Sequence, residues 1–305
     1  MIDSYVFRTV TCNPIKFNTF SGIVVRGIFF KILKSFNLGL AAEIHNLRVL
    51  SPYSTSPLEN VVQKQVIFDY VPSGVGVQFK IVAFDRGISK AVQQFVLGRE
   101  IPTITLQGFT MPVNTVSMSS VEHDFSEKAS SGATRFMVEF RSPTFFRNTQ
   151  KGPSLLALMI PRRFRKPVKP VYRYVIVPDP YHFFRGLARL YRQFCNPNFR
   201  YRSYCEWLLE GGVALETYHD LRVVKIWDSE RKWWRGFMGR AVFTIPKDLY
   251  DPKMAKLTHA LLEFARYSNV GGNRTAGFGL EDYYVIDDKV HERHDPTSNP
   301  VKPLK

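Results

Sequence analysis

Gly271-Gly272-Asn273-Arg274-Thr275-Ala276-Gly277-Phe278-Gly279-Leu280 gathers four glycines and an arginine into one short stretch. Glycine tolerates φ > 0 and leaves its N–H bare, and successive N–H groups in such a bend make an anion-binding concavity. Arg274 adds a planar fork that can grip a phosphate in two places. The chemistry on offer is phosphate capture. The plainer alternative is a tight connection whose glycine ends a helix. No Gly-Lys-Ser/Thr follows, so this is not a Walker loop. An amphipathic run, Lys253 to Ser268, precedes the stretch and an alternating run, Phe278 to Ile286, follows it. That order is the reverse of a dinucleotide-binding fingerprint.

Charge sets the kind of partner. Over 305 residues Lys and Arg outnumber Asp and Glu 42 to 26, a net +16, which favours a polyanion and above all nucleic acid. The cations cluster in the second half: Arg162 and Arg163 open a basic passage to Lys169, Arg185, Arg189 and Arg192 make a stripe, and Arg231, Lys232 and Arg235 sit together. Any one cluster could be a solvated face. Three of them beside Phe164, Tyr172, Trp233 and Trp234 describe a groove where cations meet phosphates and bases stack.

Other chemistries find little footing. Three cysteines, Cys12, Cys195 and Cys205, are too scattered for a disulfide framework or a zinc site. His291 and His294 lie in a polar, proline-rich tail, where a chance pairing explains them. No metal site and no cofactor is therefore expected. Asp3 and Arg8 interrupt the N-terminal apolar run, so no signal peptide is read, and no apolar run reaches the ~18 residues of a membrane span. The expected setting is a reducing cytoplasm.

The elements that must carry these residues follow from spacing. Ile2 to Val10 reads as a strand, and Val24, Val25, Ile28, Phe29, Ile32, Leu33 and Phe36 recur at helical intervals. Lys31 and Lys34 share a face away from the densest apolar side. A short helix, Leu40 to His45, and a hydroxyl-rich extended segment, Ser51 to Leu58, come next. Strands are predicted over Val66 to Val71 and Val75 to Phe84, then a helix over Ile88 to Val96 capped by Asp85, then strands within Ile101 to Met118. A serine-rich gap from Ser117 to Gly132 marks the internal boundary. The second half repeats the order: a strand over Thr134 to Phe140, a helix from Pro180 to Cys195, strands over Leu221 to Trp227 and Arg235 to Ile245, and a helix starting at Asp251-Pro252. The expected fold is α+β, two tandem ferredoxin-like (RRM-like) domains of βαββαβ order with a C-terminal glycine-rich loop. They span 1–125 and 133–290, with 291–305 a loose tail.

Taken in order, Gly27-Ile28-Phe29-Phe30, Leu40 to His45, Ser51 to Leu58, Ser142-Pro143-Thr144 and Gly271 to Leu280 resemble the CRISPR-associated endoribonuclease that cuts repeat RNA. This is the sixth Cas protein family, within the RAMP superfamily, and the resemblance spans most of the chain. It implies a metal-independent enzyme that trims the long repeat transcript into guide RNAs. The 2′-hydroxyl beside the scissile phosphate attacks in line, leaving a 2′,3′-cyclic phosphate and a 5′-hydroxyl. Such a reaction needs a base, an acid and cations around the phosphorane.

His45 falls where many members carry their catalytic histidine, and an imidazole with an ordinary pKa of ≈ 6.5 works in either direction. Read alone, a histidine ending a helix simply complements its dipole. The tyrosine and lysine that some members add are replaced here by Phe30 and Ser51, while Lys31 and Arg48 lie next to the gap. Members without histidine imply another set, with Lys31 as acid or electrostatic stabiliser and Arg235 and Arg274 holding the phosphate. Lys31 read alone is a solubilising residue on an exposed face. The glycines 271, 272, 277 and 279 (Gly271, Gly272, Gly277, Gly279), with Arg274, Arg231, Lys232, Arg162 and Arg163, are the expected RNA contacts. The expected partners are repeat RNA and, in a rival reading, an interference complex that a catalytically silent RAMP subunit would scaffold. An exposed apolar patch would support a homodimer.

Overall fold

The computed structural model describes residues 1–47, 50–98, 102–122, 124–125, 133–149, 172–229 and 232–286. Its first half runs β1 (Ile2–Val10), α1 (Ser21–Phe36), α2 (Leu38–Asn46), β2 (Tyr53–Thr55), β3 (Gly76–Ala83), α3 (Arg86–Leu97) and β4 (Thr115–Val121). The strands lie side by side in the order β2-β3-β1-β4, and Glu59–Asn60 also pairs with β3. β1 pairs antiparallel with both β3 and β4. With the first strand inside, between the third and the fourth, this is the ferredoxin-like order.

The second half runs β5 (Arg135–Thr144), α4 (Pro180–Phe194), α5 (Tyr201–Leu209), β6 (Ala214–Ser229), β7 (Lys232–Thr244), α6 (Pro252–Ser268) and β8 (Glu281–Val285). Its sheet order, β6-β7-β5-β8, repeats the same topology. The fold is thus α+β with two tandem ferredoxin-like sheets.

Local chemistry explains where the helices begin. Asp85 accepts from the N–H groups of Gly87 and Ile88 to start α3. Asp251 accepts from Lys253 and Met254, and Pro252 fills the first turn of α6, where no N–H is needed. Three expectations shift. The strand expected over Val66 to Val71 shrinks to Tyr70–Val71, paired with Ile15–Lys16. Ser117 to Val121, expected in the boundary gap, belongs to β4, an edge strand whose mostly exposed face suits serine. α5 lies outside the expected elements, and of its nine residues Tyr204, Trp207 and Leu208 are the buried ones.

The two halves are joined through polar side chains of the hydroxyl-rich segment. Ser54 Oγ donates to the Tyr267 carbonyl at 2.5 Å, and Thr55 Oγ1 to the Thr275 carbonyl at 3.0 Å. Lys80 Nζ on β3 donates to the Arg266 carbonyl at 2.6 Å. Apolar packing continues the seam, since Phe84 stacks on Phe194 at 5.1 Å and lies 5.9 Å from Phe264. The end of α6 and the bend after it therefore rest on β2 and β3.

Candidate nucleic-acid interface

The bend is built by close approach. A Cβ on Gly271 would fall 2.3 Å from the Phe145 carbonyl oxygen, and one on Gly272 2.2 Å from the Phe145 ring. At Gly277 it would meet the Pro57 nitrogen at 2.7 Å, and at Gly279 the Val270 carbonyl oxygen at 1.8 Å. Gly277 and Gly279 thus let the chain lie against its own backbone. The expectation of bare N–H groups fails at two of the four. Gly272 donates to the Phe145 carbonyl at 2.9 Å and Gly279 to the Pro143 carbonyl at 3.1 Å.

Arg274 is 6% exposed. Its Nη1 donates to the Tyr53 carbonyl at 2.9 Å and its Nη2 to the Ser51 carbonyl. The guanidinium carbon lies 5.8 and 5.7 Å from the Phe84 and Phe194 ring centres. Burial pulls its pKa down to about 10, which still leaves it charged at neutral pH. Much of the fork that the sequence offers to a phosphate is taken up by the Ser51 and Tyr53 carbonyls.

Around this tie an aromatic group carries the histidine. Phe29 of α1 stacks on Tyr53 at 4.0 Å, and Phe30 meets Tyr53 edge-on at 6.1 Å. His45, exposed in the last turn of α2, meets Phe30 edge-on at 5.4 Å. The end of α2, the nearby β2 and the distant C-terminal bend thus bring His45, Tyr53 and Arg274 to one junction. Arg26, one turn before Phe30, belongs to it as well. Burial raises the Tyr53 pKa, while the bond to Thr275 and the charges of Arg26 and Arg274 pull the other way. Arg26 is not among the residues expected from the sequence, though its i, i+4 spacing from Phe30 is a usable signal.

Lys31 is exposed and follows Phe30 by one position, so it points about 100° further round α1. It makes no hydrogen bond or ion pair with a described residue. Arg235 lies elsewhere, on the β6–β7 hairpin. Cross-strand pairing sets Lys225 opposite Arg235 and Trp227 opposite Trp233. Lys225 Nζ sits 4.3 Å from the centre of one Trp227 ring and 4.8 Å from Trp233, and Arg235 lies 5.0 Å from Trp233. All four side chains are exposed.

The opposite face of the hairpin is core. Ile226, Val224 and Trp234 pack with Phe20, Phe145 and Phe278, and Trp234 stacks on Phe145 at 5.6 Å. The two tryptophans taken together from sequence therefore part company, because neighbours along a strand face opposite ways. Trp233 is available to a base, and its outer partner is Trp227. Arg162, Arg163 and Arg231 lie outside the described residues, and of Lys232 only the backbone, at the start of β7, is described.

Beside the bend is a hollow of about 390 Å³, bordered by Ser51, Gly271 to Thr275, Arg147, His182, Arg185, Arg189 and Tyr201. No carboxylate among the described residues lines it. Among the described residues no three His, Cys, Asp or Glu side chains gather as a metal site would need. Nor is any described helix long and apolar enough to cross a membrane.

The model of the family described as CRISPR-associated endoribonuclease Cas6 matches residues 138–280, from β5 to the end of the bend. No curated protein matches the chain in sequence. Among solved structures, one Cas6 product complex superposes with a TM-score of 0.67 at 16% identity, covering 93% of this chain and all (100%) of its own. A second product complex gives 0.64 at 19% identity with coverage of 93% and 100%. Thermus thermophilus Cas6 gives 0.63 at 16% identity with coverage of 93% and 98%. At these identities the superpositions speak to fold, and they agree with two tandem ferredoxin-like units. The family resemblance read from the sequence stands.

Proposed function

We propose that this chain is a Cas6-type endoribonuclease, which binds CRISPR repeat RNA and cuts the precursor transcript within each repeat to release guide RNAs. One observation carries the reading. The bend, β2 and the α1–α2 pair converge where His45 stands exposed against Phe30, Phe30 meets Tyr53, and Arg274 pins the two halves together. This is a junction of the segments on which the family resemblance rests. The proposed units divide between 125 and 133.

The proposed reaction needs no group beyond the RNA and protein side chains. The 2′-hydroxyl gives up its proton and its oxygen attacks phosphorus in line. The bond from phosphorus to the 5′-oxygen breaks, that oxygen gains a proton, and a 2′,3′-cyclic phosphate and a 5′-hydroxyl result. His45 is the proposed proton-transfer group, being solvent-facing at the end of α2. Lys31 and Arg26 on α1 supply positive charge for the phosphorane, standing in for the donors that Phe30 and Ser51 lack. The outer hairpin face, with Arg235, Trp233 and Trp227, takes RNA by stacking and charge. The hairpin is anchored to the first half, since Thr19 Oγ1 donates to the Trp227 carbonyl at 2.6 Å.

A second reading, a silent RAMP subunit that scaffolds guide RNA in an interference complex, has its own support. Phe30 cannot transfer a proton, and the Arg274 fork is already bonded to the Ser51 and Tyr53 carbonyls. Purified protein incubated with repeat RNA in EDTA separates the two. A single cut under chelation supports the enzyme, and protection without cutting supports the scaffold. Activity restored only by added metal would overturn the metal-free route.

A further inference from the structure

The hollow beside the bend holds a set of side chains that the proposed reaction has not used. Arg185 and Arg189 stand one turn apart on α4, and both are exposed. Arg185 is held in place, with the Tyr181 ring 5.6 Å away and a hydrogen bond to the Tyr201 side chain. Arg147 enters from the ribbon that Phe146–Thr149 forms with Tyr172–Val175, and its Nη2 donates to Asn273 Oδ1 at 3.0 Å. His182 completes the wall. Its Nδ1 is tied to Asp179 Oδ1 at 2.6 Å, so Nε2 is the polar atom left to a ligand.

Like charges crowded around one concavity repel, and neither Arg185 nor Arg189 pairs with a described carboxylate. Such an arrangement is favourable once an anion enters, because guanidinium groups grip phosphate oxygens with charge-assisted hydrogen bonds. A solvated stripe would not need the hollow. Arg192, next in the same stripe, lies outside it. The position also matters. Ser51 and Thr275 form its rim, and these same residues meet the Arg274–Tyr53 junction that carries His45.

We infer that this hollow seats a backbone phosphate of the RNA that flanks the scissile one, with Arg185 and Arg189 as its principal donors. The inference rests on the RNA-cleavage reading and assigns a separate anchor beside the cutting position. An RNA strand passing His45 continues over the Ser51–Thr275 rim into the arginines. The anchor holds the strand taut across the junction, so that the attacking oxygen and the leaving oxygen can be aligned.

The test pairs a protein change with an RNA change. Arg185→Ala/Arg189→Ala is compared with Lys253→Ala/Lys256→Ala, which removes two exposed charges from α6. Repeat RNA affinity is measured across a salt series. The arginine variant should bind about tenfold weaker or worse, with the slope of log K against log salt smaller by about 0.7 for each phosphate it no longer neutralises. The lysine variant should keep the parent affinity within about twofold. RNA carrying one neutral methylphosphonate, moved position by position, should weaken the parent at one site near the cut and weaken the arginine variant no further there. Parent-like affinity and slope in the arginine variant would overturn the anchor while leaving cleavage by the parent intact. Methylphosphonate effects that add to the arginine loss at every position would overturn it too. A parent that binds repeat RNA without cutting it would instead sink the cleavage reading, and one that binds none would contradict both.

Discussion

Arg274 donates Nη1 to the backbone carbonyl of Tyr53 at 2.9 Å, across 221 positions of the chain. A residue that looks like a ligand for phosphate in the sequence is the pin between the C-terminal bend and β2. The pin fixes the ring that carries Phe30 and, through it, His45.

Removing the pin should cost stability before it costs RNA affinity. Arg274→Ala leaves the buried Tyr53 carbonyl of β2 and the part-buried Ser51 carbonyl before it without their donor, a loss of about 2–4 kcal/mol. Urea unfolding reads this directly. Lys at the same position keeps the charge but lacks the fork, so it should recover only part of the loss. An Arg274→Ala midpoint equal to the parent's would show that the tie carries little.

A pH dependence follows from Glu281, which is 2% exposed with neither carboxyl oxygen hydrogen-bonded. Burial raises its pKa from 4.5 to about 8. The folded chain therefore keeps a proton that the unfolded chain releases. That contribution is fully present below pH 4.5 and falls by about 1.4 kcal/mol per pH unit until the pH passes 8. Glu59, its pKa also raised by burial, acts in the same direction. His259 works oppositely: burial lowers its pKa from 6.5, so it costs stability as the pH falls below that value. Between pH 6.5 and 8, above the His259 step, Glu281→Gln should remove about 2 kcal/mol of the parent's decline. Parallel stability curves for parent and variant would contradict the assignment.

Catalysis and binding should separate at the α1–α2 junction. His45→Ala is expected to slow single-turnover cleavage by about 100-fold or more while changing RNA affinity little. Lys31→Ala should likewise lower the rate far more than the affinity. Equal losses would make Lys31 a contact for the backbone only. An unchanged rate in His45→Ala would remove the histidine from the reaction and leave the cations to do the work.

The hairpin predicts opposite outcomes for neighbouring tryptophans. Trp233→Ala or Trp227→Ala should weaken RNA binding by about 1–3 kcal/mol, the worth of one stacked base, with little change in stability. Trp234→Ala should lower stability instead, because its ring stacks on Phe145 in the core. Fluorescence titration and urea unfolding of the same variants distinguish the two. Matching profiles for Trp233 and Trp234 would contradict the two-faced hairpin.

Much of this was legible in residue order. Asp85 and Asp251-Pro252 announced their helices through capping chemistry that acts within four residues. The strands read over Ile2 to Val10 and Thr134 to Phe140 and the repeated element order were enough to anticipate both ferredoxin-like sheets. What stayed hidden depends on partners far away in the chain. Nothing near Arg274 says that Ser51 and Tyr53 will claim it. α5 is stabilised by tertiary contacts such as Tyr204 to Thr258, at 2.9 Å, which a nine-residue window cannot show. β6 starts at Ala214, seven positions earlier than the Leu221 expected, because register shifts at Leu215/Thr217 and His219/Arg222 break its alternation. Arg185 and Arg189 were visible as a stripe, but the hollow they line is made by a bend from the other end of the domain.

The most direct test of the account is the end chemistry of repeat RNA after incubation with the protein in EDTA. Attack by the RNA's own 2′-hydroxyl without metal predicts one cut per repeat, with a 2′,3′-cyclic phosphate on the upstream fragment and a 5′-hydroxyl on the downstream one. Blocking the attacking group with a 2′-deoxy sugar at that position should abolish the cut without abolishing binding. A 3′-hydroxyl and 5′-phosphate at the new ends, or cleavage that survives the 2′-deoxy substitution, would contradict it.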